Sequence, residues 1–210
     1  MKLGYEILDR PRRALLPTLA RLTHAGFYLA GGTGLALQLK HRRSLDFDFY
    51  TQSEFDPQRV YADLATHVRA ASLVRTADGT LISRLNGVEC SAFQYRYPLL
   101  KPLIINEYLA VASVEDIAAM KLAAIIQRGA KRDFFDLYVL LKRFELKKLL
   151  ALTRKKYPGM NEYIILQAVT YFDEADRDPE GMRLKPVKPM AWDDVKRQIE
   201  QAVRTFVQGA

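Results

Sequence analysis

Two stretches decide how this chain is read: Leu29-Ala30-Gly31-Gly32-Thr33-Gly34, and then Ser44-Leu45-Asp46-Phe47-Asp48-Phe49-Tyr50. Phe27-Tyr28-Leu29 reads as a short strand, the glycines as a turn, and Leu35-Ala36-Leu37-Gln38-Leu39 as a helical stretch. From Ser44 to Tyr50 the pattern alternates, with Leu45, Phe47 and Phe49 on one face and Asp46 and Asp48 on the other. That is the period of a strand. The two carboxylates therefore leave the same face, with their Cα atoms about 7 Å apart. Such a pair repels itself unless a cation lies between, and hard oxygen ligands suit Mg²⁺ or Mn²⁺. A metal held this way orients a triphosphate, acidifies an attacking hydroxyl and stabilises the leaving group. Glycines let backbone approach phosphates, amides at a helix start attract anions, and Thr33 adds a hydroxyl donor. Taken singly, the carboxylates also fit a solvent-facing strand and the glycines a tight turn. In this order, each makes the other more specific.

Outward from this stretch, Leu15, Leu16, Leu19 and Leu22 recur at helical spacing after Pro11, with Gly26 as a stop. Asp56-Pro57 opens a helix carrying Val60, Leu64 and Val68. Residues Ser72 to Tyr97 read as antiparallel strands, because Asp78-Gly79 and Asn86-Gly87 are hairpin turn pairs. The strands they join are Leu81–Leu85 and Val88–Tyr95. Ser113-Val114-Glu115-Asp116 resembles a capping box and starts a helix with Ile117, Met120, Ala124 and Ile125 inward. Helices follow over Arg132–Phe144, Glu145–Arg154, Glu162–Glu174 and Trp192–Val207. Asp176 to Met190, with Pro179, Pro186 and Pro189, reads as an extended linker. The expected fold is α+β: a mixed or antiparallel sheet with flanking helices, then a helical C-terminal half. The expected domains are a core over 1–110 and a helical region over 111–210 packed on it.

The 210 residues are 49% hydrophobic and 27% charged, which suits a packed core and excludes global disorder. One cysteine, Cys90, excludes an internal disulfide framework and a cysteine zinc cluster. No apolar run is long enough to cross a bilayer, and Met1-Lys2-Leu3-Gly4-Tyr5-Glu6 lacks a signal peptide's apolar stretch. A cytoplasmic protein without a membrane partner is expected. The formal net charge of +8 favours polyanionic partners such as nucleotides or nucleic acid, or simply makes a basic soluble protein.

Several cationic segments admit two readings. In His41-Arg42-Arg43-Ser44, Arg42 and Ser44 are placed to contact phosphate, or the run is a solvated helix end. Lys121 either snorkels to the surface or holds a nucleotide phosphate as a point charge. Asp133 and Asp136, three residues apart, share a helix face, where Asp133 could simply offset the helix dipole. Lys142, Arg143, Lys147, Lys148, Arg154, Lys155 and Lys156 either meet an RNA backbone or form solvated helix faces.

The glycine turn followed by the Asp-x-Asp strand, Leu29 to Tyr50, resembles the DNA polymerase β-like nucleotidyltransferase superfamily. That superfamily usually carries a third carboxylate on a neighbouring strand. Here Ser91 occupies the expected place in Val88-Glu89-Cys90-Ser91-Ala92-Phe93, and Glu89 lies one pleat earlier on the same face. Either Glu89 completes the metal site, or Asp46 and Asp48 hold the metal alone. Adding His41-Arg42-x-Ser44, Lys121-Leu122-x-Ala124 and Arg132-Asp133-Phe134-Phe135-Asp136-Leu137 narrows the resemblance to the AbiEii/AbiGii-type nucleotidyltransferases, toxins of bacterial toxin–antitoxin and phage-defence systems.

The resemblance implies metal at Asp46 and Asp48, triphosphate near Gly31, Gly32 and Thr33, and functional roles for Lys121 and Asp133. It implies transfer of an NMP from an NTP to an acceptor hydroxyl. Some members of the family transfer to tRNA 3′ ends, which these motifs do not themselves imply here; RNA, tRNA included, is the expected acceptor and a cognate antitoxin the expected protein partner. The chain is short for that family, so absent C-terminal helices would alter substrate choice. Two alternatives stay open: transfer to a small molecule or protein, and NTP or partner binding without transfer.

Overall fold

The computed structural model describes residues 3–178 and 185–209. The chain divides into two compact units, Met1–Ser113 and Val114–Ala210.

The first unit is built on a seven-stranded sheet. Its strands are β1 (Tyr28–Leu29), β3 (Phe47–Thr51), β4 (Ala71–Ala77), β5 (Thr80–Leu85), β6 (Val88–Gln94), β7 (Ile104–Ile105) and β8 (Ala110–Val111), in the order β4-β5-β6-β3-β1-β8-β7. A further extended pair, β2 (Arg42–Arg43), precedes β3. The hairpins expected between β4, β5 and β6 form antiparallel pairs. Asn86 and Gly87 take φ of 47° and 81°, the two positive angles that a tight two-residue hairpin turn needs. The Asp-bearing strand β3 pairs antiparallel with β1 and parallel with β6, so the sheet is mixed. The two short strands β7 and β8 carry no readable period in the sequence, because two residues cannot display one.

Why β3 sits mid-sheet follows from its alternation. Phe47 and Phe49 are fully buried on one face, while Asp48 and Tyr50 are only partly covered on the other. Burying each phenylalanine stabilises the sheet by about 1.5–3 kcal/mol. Helices α1 (Arg10–His24) and α3 (Pro57–Ala65) contribute Leu15, Leu16, Leu19, Leu22 and Leu64 to the same core. Asp9 caps α1 by accepting from Arg12 N, and Asp56 caps α3 by accepting from Gln58 N and Arg59 N. Helix α2 (Gly31–Leu39) buries Leu35, Ala36 and Leu37 completely. Its Gln38 Nε2 donates to Ala112 O at 2.9 Å, fixing the helix to the end of β8.

The second unit is helical: α4 (Val114–Arg128), α5 (Lys131–Leu141), α6 (Leu146–Lys156), α7 (Glu162–Thr170), α8 (Asp173–Arg177) and α9 (Trp192–Gln208). Helix α4 packs against α5, α6 and α7, and α5 against α9. The partly buried Trp192 ring lies within 6 Å of Phe134, Phe135 and Phe172.

Four sequence expectations differ in the structure. The strand expected from Ser44 begins only at Phe47, so Asp48 lies on β3 while Asp46 lies in the segment just before it. The helix expected over Glu162–Glu174 is two helices, because Thr170 Oγ1 turns back to Leu166 O and Gln167 O and the break swings Phe172 inward onto Trp192. In the linker expected over 176–190, Asp176 and Arg177 instead end α8, Lys185–Pro186 is a short strand (β9), and Pro179 lies outside the described residues. Lys156, grouped by sequence with surface cations, is fully buried, its Nζ 2.9 Å from Asp116 Oδ1.

A buried pair of this kind is costly to break and cheap to replace as a whole. Asp116→Ala, which strands the buried ammonium, is expected to cost about 3–5 kcal/mol in denaturant unfolding. The double variant Asp116→Leu/Lys156→Met is expected to lose less than that single change.

Candidate active site

The first unit gathers most of the residues singled out by sequence. Gly31 opens α2 with φ +60°, and a Cβ placed there would lie 2.7 Å from Asp48 Oδ2. Backbone and carboxylate are thus in direct apposition, and only glycine satisfies both the angle and the space. At Gly32 a Cβ would collide with Arg42 Nη2 and stand 3.3 Å from Ser44 Oγ. Arg42 and Ser44, both buried, therefore lie against the first turn of α2.

Two hydrogen bonds lock the helix start to the acidic strand. Ala30 N donates to Asp48 O at 3.0 Å, and Thr33 Oγ1 donates to Asp46 O. The Thr33 hydroxyl is engaged with backbone, so its part in the site is to fix Asp46. The first i→i−4 bond of α2 runs from Gly34 N to Ala30 O at 2.9 Å. The amides of Gly31, Gly32 and Thr33 precede it, and they form the partly positive end of the helix.

A residue that sequence reasoning passed over pins the other side. Arg12 Nε donates to Leu45 O at 2.7 Å, and its guanidinium also pairs with Asp9. Asp46 is thus held between Arg12 at Leu45 and Thr33 at its own carbonyl. Nothing in the spacing of the sequence links Arg12 to a segment thirty-three residues later.

Asp46 and Asp48 are both half-buried. Their joint field reaches the buried thiol of Cys90 on the neighbouring strand β6. Burial first, then Asp48 and Asp46, push it far above its ordinary range. A paired-carboxylate donor set fits Mg²⁺, which binds through one or two carboxylates and completes its shell with water and phosphate. In the parallel register of β3 and β6, Asp48 stands beside Ser91, which is buried. Glu89 stands across from Arg84 in β5, with an ion pair at 3.7 Å, and its side chain is 41% exposed. Among the described residues, no group of three or more His, Cys, Asp or Glu side chains is clustered as a metal site.

The second unit holds the other two site candidates in a single ionic cluster. Lys121 lies on the buried face of α4, with Nζ 2.7 Å from Asp133 Oδ1 and 2.6 Å from Asp136 Oδ2. Its side chain is 5% exposed, which replaces the snorkelling alternative. Arg128 adds Nε to Asp133 Oδ2 at 2.9 Å and Nη2 to Asp133 Oδ1 at 3.3 Å. Burial pushes the Asp133 carboxyl up, but Lys121 and Arg128 outweigh it and hold the group below the usual carboxylate value. The i,i+3 spacing of Asp133 and Asp136 is what lets both reach one ammonium.

Two outcomes follow. Gly31→Ala forces a left-handed backbone on alanine, costing about 1–2 kcal/mol in thermal or denaturant unfolding, and the added methyl displaces the Asp48 carboxylate, so activity falls more than stability does. For Asp133 the folded pKa is depressed. Its stabilisation is complete above the unfolded value of about 4 and is lost as pH falls through the lower folded value. Unfolding measured against pH is expected to show an acid limb below about pH 4 that flattens in Asp133→Asn.

A family model described as nucleotidyl transferase AbiEii toxin, type IV TA system, matches residues 94–209, more than half of the chain. The chain is also 37% identical over 188 residues to "Uncharacterized protein aq_aa25" of Aquifex aeolicus (strain VF5), covering 87% of this chain and 88% of that one. Among solved structures, a putative nucleotidyltransferase from H. pylori superposes with a TM-score of 0.59 at 16% identity, covering 94% of this chain and 95% of its own. JHP933 from Helicobacter pylori superposes with a TM-score of 0.57 at 15% identity, covering 97% and 92%. At those identities the two structures speak for a shared fold, and the α+β architecture expected from sequence is the one they share. Because that family model covers more than half of the chain, the chain belongs to the AbiEii nucleotidyltransferase toxin family.

Proposed function

We propose that this nucleotidyltransferase uses a divalent metal to move an NMP from an NTP to a hydroxyl of RNA, and that it works as the toxin of a toxin–antitoxin pair. One observation carries the reading: within one unit, Gly31 lies against Asp48 while Gly32 lies against Arg42 and Ser44. The helix-start amides, a cation and the Asp48 carboxylate therefore share one corner, and Thr33 ties the backbone of Asp46 to the same turn.

In this reading the amides of Gly31, Gly32 and Thr33 receive the triphosphate, with Arg42 and Ser44 beside them. Asp46 and Asp48 would hold Mg²⁺ or Mn²⁺, which when bound supplies charge neutralisation at the phosphates and acidifies the acceptor hydroxyl. That hydroxyl attacks the α-phosphate and pyrophosphate leaves. Positioning and electrostatics provide most of the rate. Ser91 beside Asp48 offers no carboxylate base, and Glu89 is engaged with Arg84, so we assign the metal to Asp46 and Asp48 alone. The geometry of the second unit supports Asp133 as the group that orients Lys121. RNA as acceptor rests on the net charge of +8 and on the family. Among the described residues, no helix is long and apolar enough to cross a membrane. The family description supports an antitoxin as the partner of this toxin.

Purified protein incubated with Mg²⁺, each α-labelled NTP and total bacterial RNA is expected to label a small RNA species. Asp48→Asn should lower the rate on the order of a hundredfold or more. Glu89→Gln should keep most of the activity, and a large loss there would return Glu89 to the metal site. Label entering protein, or no acceptor at all, would overturn RNA as the substrate.

A further inference from the structure

The sheet face that carries Asp48 also carries a row of aromatic rings. The parallel register pairs Tyr50 with Phe93 just as it pairs Asp48 with Ser91, and the period of two keeps these four on one face. Ring centroids are 5.6 Å apart for Tyr50 and Phe93, 5.3 Å for Tyr50 and Tyr95, and 5.1 Å for Tyr95 and Tyr97. Tyr28 of β1 stacks on Tyr50 at 6.1 Å and 28°. Exposure rises along the row: Tyr28 is buried, Tyr50, Phe93 and Tyr95 are partly covered, and Tyr97 is 46% exposed. The backbone beneath is fixed, with Tyr95 N donating to Thr51 O at 2.7 Å and Gln52 Nε2 donating to Tyr97 O at 3.1 Å.

Position gives the row a direction. The glycine turn meets β3 at the level of Asp46 and Asp48, through Thr33 Oγ1 and Ala30 N. The rings begin at Tyr50 and continue past the end of β3, away from that turn. Core packing accounts for Tyr28. It does not account for partly open rings that stay in contact out to a half-exposed tyrosine.

We propose that Tyr50, Tyr95 and Tyr97 form a stacking platform for the unpaired bases at the end of the acceptor strand. The inference rests on the reading of RNA as acceptor. Every base offers a π-face, so aromatic platforms hold single strands with little regard to sequence. Successive rings exceed what the one base of an NTP covers, and they lie on the side of Asp48 opposite the phosphate-binding turn. The acceptor end would therefore approach the α-phosphate from the side where pyrophosphate is not leaving.

The test uses the full chain and a short single-stranded oligoribonucleotide, with binding read by fluorescence anisotropy and NTP binding by calorimetry. Tyr97→Leu and Tyr95→Leu, checked for unchanged melting, are expected to weaken oligonucleotide binding roughly tenfold each, with NTP affinity unchanged. Tyr97→Phe is expected to keep wild-type binding, since it keeps the ring. Wild-type oligonucleotide affinity in both leucine variants, a loss that falls on the NTP instead, or no oligonucleotide binding by the native protein would overturn the platform. Ring-dependent binding without label entering RNA would support the platform and sink the transferase reading. Transfer to RNA with the acceptor KM unchanged in both leucine variants would do the reverse.

Discussion

The apposition of Gly31 and the Asp48 carboxylate is the constraint on which the first unit depends. A backbone at φ +60°, with no side chain, brings the start of α2 within contact of a carboxylate on the central strand. Any other residue would push the two apart, and the free amides of the helix start would no longer share a corner with Asp48. The remaining contacts protect this geometry. Ala30 N and Thr33 Oγ1 tie the turn to the carbonyls of Asp48 and Asp46, and Arg12 holds Leu45 from the far side. The buried phenylalanines on the opposite face of β3 set which way the Asp48 carboxylate points.

Electrostatics organise the two units differently. In the first, two half-buried carboxylates are set beside a helix start and the buried Arg42, an arrangement that favours a cation and an anion together. In the second, Lys121, Arg128, Asp133 and Asp136 form a cluster whose formal charges cancel, and Lys156 with Asp116 forms another. Charges buried at near-zero exposure are tolerable only when paired this closely. Such clusters hold the helices of this unit in one packing arrangement.

Much of this was readable in the sequence, for identifiable reasons. The period of two in Phe47-Asp48-Phe49 made the strand and its two faces legible, but alternation alone also drew in Leu45 and Asp46, which lie before the strand begins. Asn86-Gly87 announced its hairpin because few pairs tolerate two positive φ angles. The parallel pairing of β3 with β6 was not legible, since pairing partners far apart in sequence leave no local trace. The same holds for Arg12 at Leu45 and for Lys156 at Asp116. Lys156 was misread because it ends a run of basic residues, and only the turn of α6 carries it inward. The aromatic row lay half in view: alternation places Tyr50 on the face of Asp48, but its neighbours come from β6 and β1. Ser91 shows the opposite case, where position after the hairpin was enough to set it beside Asp48.

The central claim is that metal and triphosphate meet at the corner made by Gly31, Gly32, Asp46 and Asp48. A crystal structure of the protein with Mn²⁺ and a non-hydrolysable NTP analogue tests it most directly. The account predicts an anomalous peak within coordination distance of the carboxylates of Asp46 and Asp48, with the triphosphate on the amides of Gly31 to Thr33. Manganese or triphosphate bound away from that corner would contradict it.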